Sequence, residues 1–252
     1  MRRAAALVAV AALLPGCGSD DPRGTSSRPA LTVSAASSLK RAFTDYGRRF
    51  GPAEVRFSFA GSDELAAQIT QGLRPDVFAA ANTKLPAELH SEGRVEAPVA
   101  FAANRLVLAV PAGGAKVASL ADAGRPGVRL AIGSPSVPIG TYTRTVLGRL
   151  PPARAKAILA NVRSQEPDVA GIVGKLTQGA VDAGFVYVTD VRGAEGRLRA
   201  IELPRRLEPS VAYGAAVVTG AKHPREARQF IDGLLRGAGR EALARQGFAP
   251  PP

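Results

Sequence analysis

The sequence predicts an α/β protein whose sheets are mainly parallel and carry helices on both faces. Three observations lead there. β-prone runs alternate with stretches of helical apolar spacing, turns of small residues join them, and 46% of the 252 residues are hydrophobic while 21% are charged. A chain of this size buries a substantial core, as one large lobe or as two modest ones. The apolar content also excludes disorder as the dominant state.

The chain opens on an export signal. Arg2 and Arg3 form a positive start, and Ala4 to Leu14 form an apolar run of signal-peptide length. That run is shorter than the roughly 20 residues a membrane span needs. Leu14-Pro15-Gly16-Cys17 resembles a lipobox, which places a lipid-modified Cys17 at the new N-terminus. A plain secretory signal with an incidental cysteine is the alternative. Residues 1–16 are read as the signal, and residues 17–29, rich in Gly, Ser, Asp, Pro and Arg, as a flexible tether. Fully extended, the tether reaches at most about 40 Å. A soluble body held at the outer face of the membrane, or periplasmic, is therefore expected.

From Leu31 strands and helices alternate. Leu31–Ala36 is short and β-prone, and Leu39, Phe43, Tyr46 and Phe50 then recur at spacings of 4, 3 and 4. That is one face of an amphipathic helix. Val55–Ala60 is the second strand, Gly61-Ser62 its turn, and Leu65, Ile69 and Leu73 mark the next helix. Asp76–Ala80 lacks alternation, as strands covered on both faces do. Arg105–Val110 is a strand closed by Pro111 and Gly113-Gly114. Val128–Gly133 leads through Ser134–Gly140 into a helix carrying Tyr142, Val146, Leu147 and Leu150. Asp168 starts a helix with Val169, Ile172, Val173 and Leu176, and Ala183–Tyr187 is the strand after it. Tyr213–Val218 is the last strand, and Pro224 to Gln246 is helical.

Composition narrows the chemistry. One Cys excludes a disulfide framework and multi-cysteine metal sites, and His90 and His223 lie far apart. Absent Trp and 5% aromatics argue against a carbohydrate or nucleobase stacking platform, so no nucleic-acid partner is expected. The formal charge of +12, with Arg greatly outnumbering Lys, points towards anions or acidic surfaces, or is plain arginine-rich surface usage. Loss of residues 1–16 removes two arginines and leaves about +10.

In parallel sheets, ligands sit beyond the carboxyl ends of strands, where helix N-termini converge. Ser38 and Ser62 each stand where a strand hands over to a helix. One reading makes them N-caps whose hydroxyls accept from free backbone N–H groups. The other aims hydroxyls and amides together at an anion. Pro138-Ile139-Gly140 and Pro167-Asp168-Val169 open two more helices, where Pro leaves the following N–H groups free. Tyr187, ending an apolar strand, reads as core or as a hydroxyl donor. No nucleophile is paired with a base, so an enzyme is not expected.

Taken together these segments resemble the molybdate-binding proteins of ABC importers, a family within the type II periplasmic-binding-protein fold. The resemblance runs from Leu31 to about Phe248. It rests on Thr32 to Leu39, Phe59-Ala60-Gly61-Ser62 with Leu65 and Gln68-Ile69, and Pro75 to Ala81. Asn104 to Leu108, Tyr213 to Val218 and, most specifically, Asp182 to Asp190 complete it. It implies two α/β lobes joined by a two-strand hinge, with residues 30–108 and 212–252 in the first lobe and 109–211 in the second. By motif, Ser38, Ser62 and Tyr187 supply hydroxyls, and Ile139, Val169 and the two serines supply backbone N–H groups. The implied ligand is molybdate, or tungstate, held as an oxyanion without direct metal-ion ligands and without a cofactor. The implied partners are ABC permease subunits and, through Cys17, the membrane; a monomer is expected. Sulfate, phosphate or a small organic acid would fit the same fold, with Asp63 or Asp168 placed to take a phosphate proton. An extracytoplasmic enzyme acting on an anionic substrate is the rival from another class.

Overall fold

A computed structural model describes residues 28–114 and 116–252; the expected signal, Cys17 and most of the tether lie outside the described residues. β1 (Ala30–Ala36) passes through a 3-10 turn at Ser37–Leu39 into α1 (Lys40–Arg49). β2 (Glu54–Ala60), α2 (Ser62–Thr70), β3 (Val77–Ala80), α3 (Lys84–Ser91) and β4 (Val99–Asn104) follow. Then come β5 (Leu106–Pro111), β6 (Leu130–Gly133), α4 (Pro138–Gly148), α5 (Pro152–Ala160) and β7 (Val162–Glu166). α6 (Val169–Thr177), β8 (Ala183–Tyr187), α7 (Val188–Gly193) and β9 (Leu198–Ile201) precede β10 (Val211–Val217), α8 (Pro224–Arg236) and α9 (Ala238–Gln246).

These strands build two five-stranded sheets on one plan, in the orders β2-β1-β3-β10-β4 and β7-β6-β8-β5-β9. In each, three strands pair in parallel, and a reversed strand, β10 or β5, separates them from the last. The chain crosses between sheets at Arg105 and again over residues 202–210. Leu106, Val107 and Leu108 thus belong to the second sheet, ahead of the boundary expected after Leu108.

The two sheets are also pinned alike. Asp76, just before β3, accepts from the Thr32 N–H at 2.7 Å and hydroxyl at 2.8 Å, and from the His223 N–H at 2.8 Å. Asp182, just before β8, accepts from the Arg129 N–H at 2.8 Å and its guanidinium at 3.1 Å. The bond from Arg129 holds the Asp182 carboxyl below the usual carboxylate range. Both acids sit at the N-terminal ends of their strands, where they tie neighbouring strands together.

The helical spacing of Leu39, Phe43, Tyr46 and Phe50 buries all four. Phe43, Tyr46 and Phe50 pack with Phe230 of α8, with ring centroids 4.6–5.6 Å from it. Two expectations change, and one strand, β7, carries no apolar signal in the sequence. Leu73 is 51% exposed, because α2 ends at Thr70 and Gly72 turns the chain at φ 105°. The helical stretch from Pro224 to Gln246 breaks at Gly237, whose extended backbone separates α8 from α9. And β7, Val-Arg-Ser-Gln-Glu, is a strand despite its polar residues, since it lies at a sheet edge with only one neighbour to pair.

Candidate functional site

The carboxyl ends of β1, β2, β6 and β8 meet around a small cavity between the lobes. Its volume is about 20 Å³, counted over the positions a water centre can occupy. Taken as a sphere and widened by a water radius of about 1.4 Å, it is a chamber roughly 3 Å in radius. That is room for one small tetrahedral ion. Ser38, Ser62, Ile139, Val169 and Tyr187 all line it, so the structure gathers the five expected residues at one place.

Each arrives by local rules. Ser38 lies in the 3-10 turn, with its Oγ 3.0 Å from the Tyr213 hydroxyl. Ser62 is the first residue of α2, Gly61 being the N-cap, and its Oγ accepts from the Ala81 N–H at 3.0 Å. Neither serine hydroxyl caps its own helix, which corrects the N-cap reading; both bonds reach to other elements. Asp168 does cap α6, accepting from the Gly171 N–H at 3.0 Å. Ile139 and Val169 stand in the first turns of α4 and α6, and Ser62 in that of α2. First-turn amides have no carbonyl to reach within their own helices. Tyr187 is 1% exposed, and its hydroxyl has no hydrogen-bond partner among the described residues.

The chamber is therefore ringed by hydroxyl and amide donors, with the capping Asp168 among them. Among the described residues no lysine or arginine lines it, so the positive potential comes from helix N-termini and hydroxyl dipoles. Burial pushes the Tyr187 and Tyr213 hydroxyls well above the ordinary tyrosine range, and both stay neutral donors. Sequence reasoning did not single out Asn104 and Tyr213, which the resemblance places in the two connecting strands and which stand behind Ser38 rather than in the chamber lining. Asn104 Nδ2 donates to Thr189 Oγ1 at 2.9 Å and to the Tyr213 hydroxyl at 3.4 Å.

Asp190 supplies a nearby group poised to titrate near neutrality. It accepts from the Tyr187 N–H at 2.9 Å and borders a second interlobe cavity of about 170 Å³. It keeps some exposed area there, yet packing between the lobes dominates. Burial pushes its carboxyl up to about 7; the Tyr187 N–H opposes this, and the Asp168 charge adds to it. A carboxyl raised in the fold contributes stability below its unfolded value of 3.8 that is lost as pH climbs to about 7. Asp190→Asn keeps an acceptor for Tyr187 and removes the charge. The variant is expected to be more stable than its parent above about pH 7, with the difference vanishing towards about pH 4. Urea denaturation across that range checks it, and parallel curves would refute the assignment.

Two lobes closing donor-lined turns over a buried chamber define a binding protein for a small anion. The model of the bacterial extracellular solute-binding protein family matches residues 31–249, and the chain belongs to that family. It is 36% identical over 249 residues to the molybdate-binding protein ModA of Mycobacterium tuberculosis, covering 94% of this chain and 93% of that protein. Its fold is similar to the periplasmic molybdate-binding protein of Azotobacter vinelandii, with TM-score 0.79 and 20% identity, covering 88% of this chain and 100% of that one. The sulfate-binding protein SubI of Mycobacterium tuberculosis shares the fold at TM-score 0.78 and 17% identity, covering 88% of this chain and 87% of that one. The family is extracellular, and among the described residues no helix is long and apolar enough to cross a membrane.

Proposed function

We propose that this chain captures molybdate, and tungstate with it, outside the cytoplasm and delivers it to the permease subunits of an ABC importer. One observation carries the reading. Among the described residues the Tyr187 hydroxyl is buried without a partner, against a chamber whose lining offers serine hydroxyls and first-turn amides, with Asp168 the acid beside them. A buried unmade bond costs roughly 1–3 kcal/mol, which a ligand oxygen would recover. Ser38, Ser62 and Tyr187 hold the oxyanion through their hydroxyls, and the Ile139 and Val169 amides complete the shell. The relative in Mycobacterium tuberculosis, named for molybdate binding, supports the same ligand.

A fully ionised tetrahedral dianion offers only acceptors and suits such a site. Monohydrogen phosphate brings a proton that needs an acceptor. Asp168, the acid lining the chamber, already commits one oxygen to its helix cap, and Asp63 is not in the lining. Sulfate has the right proton count, and the wider reach of molybdate oxygens is what the chamber size must discriminate. Neutral donors avoid the cost of burying a cation beside the ligand. The surplus positive charge of the chain then acts on encounter rate or on an anionic membrane face. Lipid modification at Cys17 would tether a monomeric body near its permease.

Calorimetric titration of the purified mature protein with molybdate, tungstate, sulfate and phosphate tests this directly. Tight one-to-one binding of the first two with weak sulfate is expected. Tighter sulfate or phosphate would overturn the molybdate assignment, and turnover of a phosphate or sulfate ester would revive the enzyme. Ser38→Ala and Ser62→Ala should each weaken molybdate binding by about 1–3 kcal/mol. Unchanged affinity in both would remove the site assignment.

A further inference from the structure

We propose that Tyr213, oriented by Asn104, is a positioning residue that sets the direction of the Ser38 hydroxyl and so makes the cavity select oxyanions that carry no proton. The proposal rests on the oxyanion reading of the site. The Arg105 N–H lies 2.9 Å from the side-chain carbonyl of Asn104, and a backbone N–H only donates, so that atom is the oxygen. The amide NH2 of Asn104 must then face Thr189 Oγ1 at 2.9 Å and the Tyr213 hydroxyl at 3.4 Å. An NH2 group cannot accept, so the Tyr213 oxygen is engaged as an acceptor.

The Tyr213 proton has one acceptor within reach among the described residues, Ser38 Oγ at 3.0 Å. If Ser38 donated to Tyr213 instead, the tyrosine proton would be buried with nowhere to go. Tyr213 is fully buried, so that arrangement carries the full penalty of an unmade bond. The chain therefore runs one way, from Asn104 through Tyr213 to Ser38. With its oxygen accepting, Ser38 has its own proton left for the cavity. Ser62 repeats the device in shorter form, because its oxygen accepts from the Ala81 N–H at 3.0 Å and its proton stays free. Two independent hydrogen bonds thus occupy one lone pair on each serine oxygen and leave both protons free, which biases the two hydroxyls towards donating to the ligand, where free serines carry no such bias. A pocket so biased rejects an oxyanion that keeps a proton, since that proton meets another.

Two variants test the direction. Asn104→Asp keeps an acceptor for the Arg105 N–H but replaces the donor facing Tyr213 with an acceptor. The Tyr213 proton then turns to residue 104, and Ser38 donates to Tyr213 and shows a lone pair to the cavity. Tyr213→Phe simply frees Ser38, while its ring keeps the edge contacts with Phe101, Tyr187 and Phe248. The readout is the ratio of sulfate to phosphate affinity, taken directly or by displacement of molybdate, at a pH where phosphate is nearly all monohydrogen dianion. The two anions then share charge and shape and differ by one proton, so any charge repulsion from the new carboxylate cancels. Asn104→Asp is expected to lower the sulfate preference at least tenfold and Tyr213→Phe several-fold.

A purely structural role would weaken both anions together and leave the ratio at its parent value, which would overturn the proposal. Should Asn104→Asp fail to fold, Tyr213→Phe decides alone. If the parent protein binds no tetrahedral oxyanion at all, the functional reading fails and this inference falls with it. If the parent binds and the ratios stand still, only the relay is lost.

Discussion

Gly61→Ala is expected to leave the empty protein folded and to weaken oxyanion capture about 100-fold, or about 3 kcal/mol. The backbone at Gly61, φ −61° and ψ 139°, is one that alanine adopts without strain. The obstacle lies elsewhere. A Cβ there would stand 2.5 Å from the Pro167 carbonyl oxygen and 3.0 Å from Asp63 Oδ1. Asp63 is a side chain of the same helix and can turn aside. Pro167 is backbone, and it belongs to the segment between β7 and α6, in the other sheet's lobe. The clash therefore exists only while the lobes are together, and a protein with its lobes apart never meets it. Ligand that binds the closed form pays for closure from its own affinity, so a raised closure cost appears directly in the Kd. Calorimetry with the variant gives the loss, and X-ray scattering with saturating ligand should show it remaining more extended than the parent. Parent-like affinity would mean that the approach at Gly61 is not part of the binding-competent state.

Gly140→Ala is expected to act on folding itself, costing more than about 4 kcal/mol, the range reserved for a specific steric failure. A Cβ on Gly140 would lie 1.8 Å from the Ser134 carbonyl oxygen and 2.6 Å from that of Gly133. Both are backbone atoms, one closing β6 and one opening the loop that folds back onto α4, so no flexible side chain can yield. Gly133 is crowded in return, with the Gly140 nitrogen 2.6 Å from where its own Cβ would be. The pair lets the chain leave β6 and enter α4 in a turn tight enough to bring the Ile139 amide to the chamber. Gly148, near the end of the same helix, has nothing within 4 Å of an added Cβ. Gly148→Ala is the matched control, expected to be neutral or to stabilise by up to about 1 kcal/mol through helix propensity. Urea denaturation of the two variants separates them, and equal stabilities would refute the steric account.

Features that depend only on neighbouring residues were legible in the sequence. Apolar spacing along α1 named the face that packs on Phe230, because helix geometry brings residues three and four apart onto one side. Asp168 announced a helix start and is a true N-cap, since that bond spans only three residues. The turns that carry Ser38, Ser62, Ile139, Val169 and Tyr187 were legible because strands ending in small residues before a helix leave amides and hydroxyls uncommitted. Their roles as ligand donors came from resemblance as well as from chemistry.

What tertiary structure decided is everything set by contacts between distant segments. Composition suggests a strand poorly when its residues are polar, and β7 exists because β6 offers it an edge. Leu73 has helical spacing yet lies beyond Thr70 and faces solvent, because spacing does not say where a helix stops. The serine hydroxyls look like caps locally, but the Ala81 amide reaches Ser62 and Tyr213 reaches Ser38 from 175 positions along the chain. A hydroxyl can donate or accept with equal ease, so its direction is set only by the fixed donor at the far end of its network. Periodicity is a property of a few adjacent residues; the direction of a hydrogen bond is a property of the folded whole.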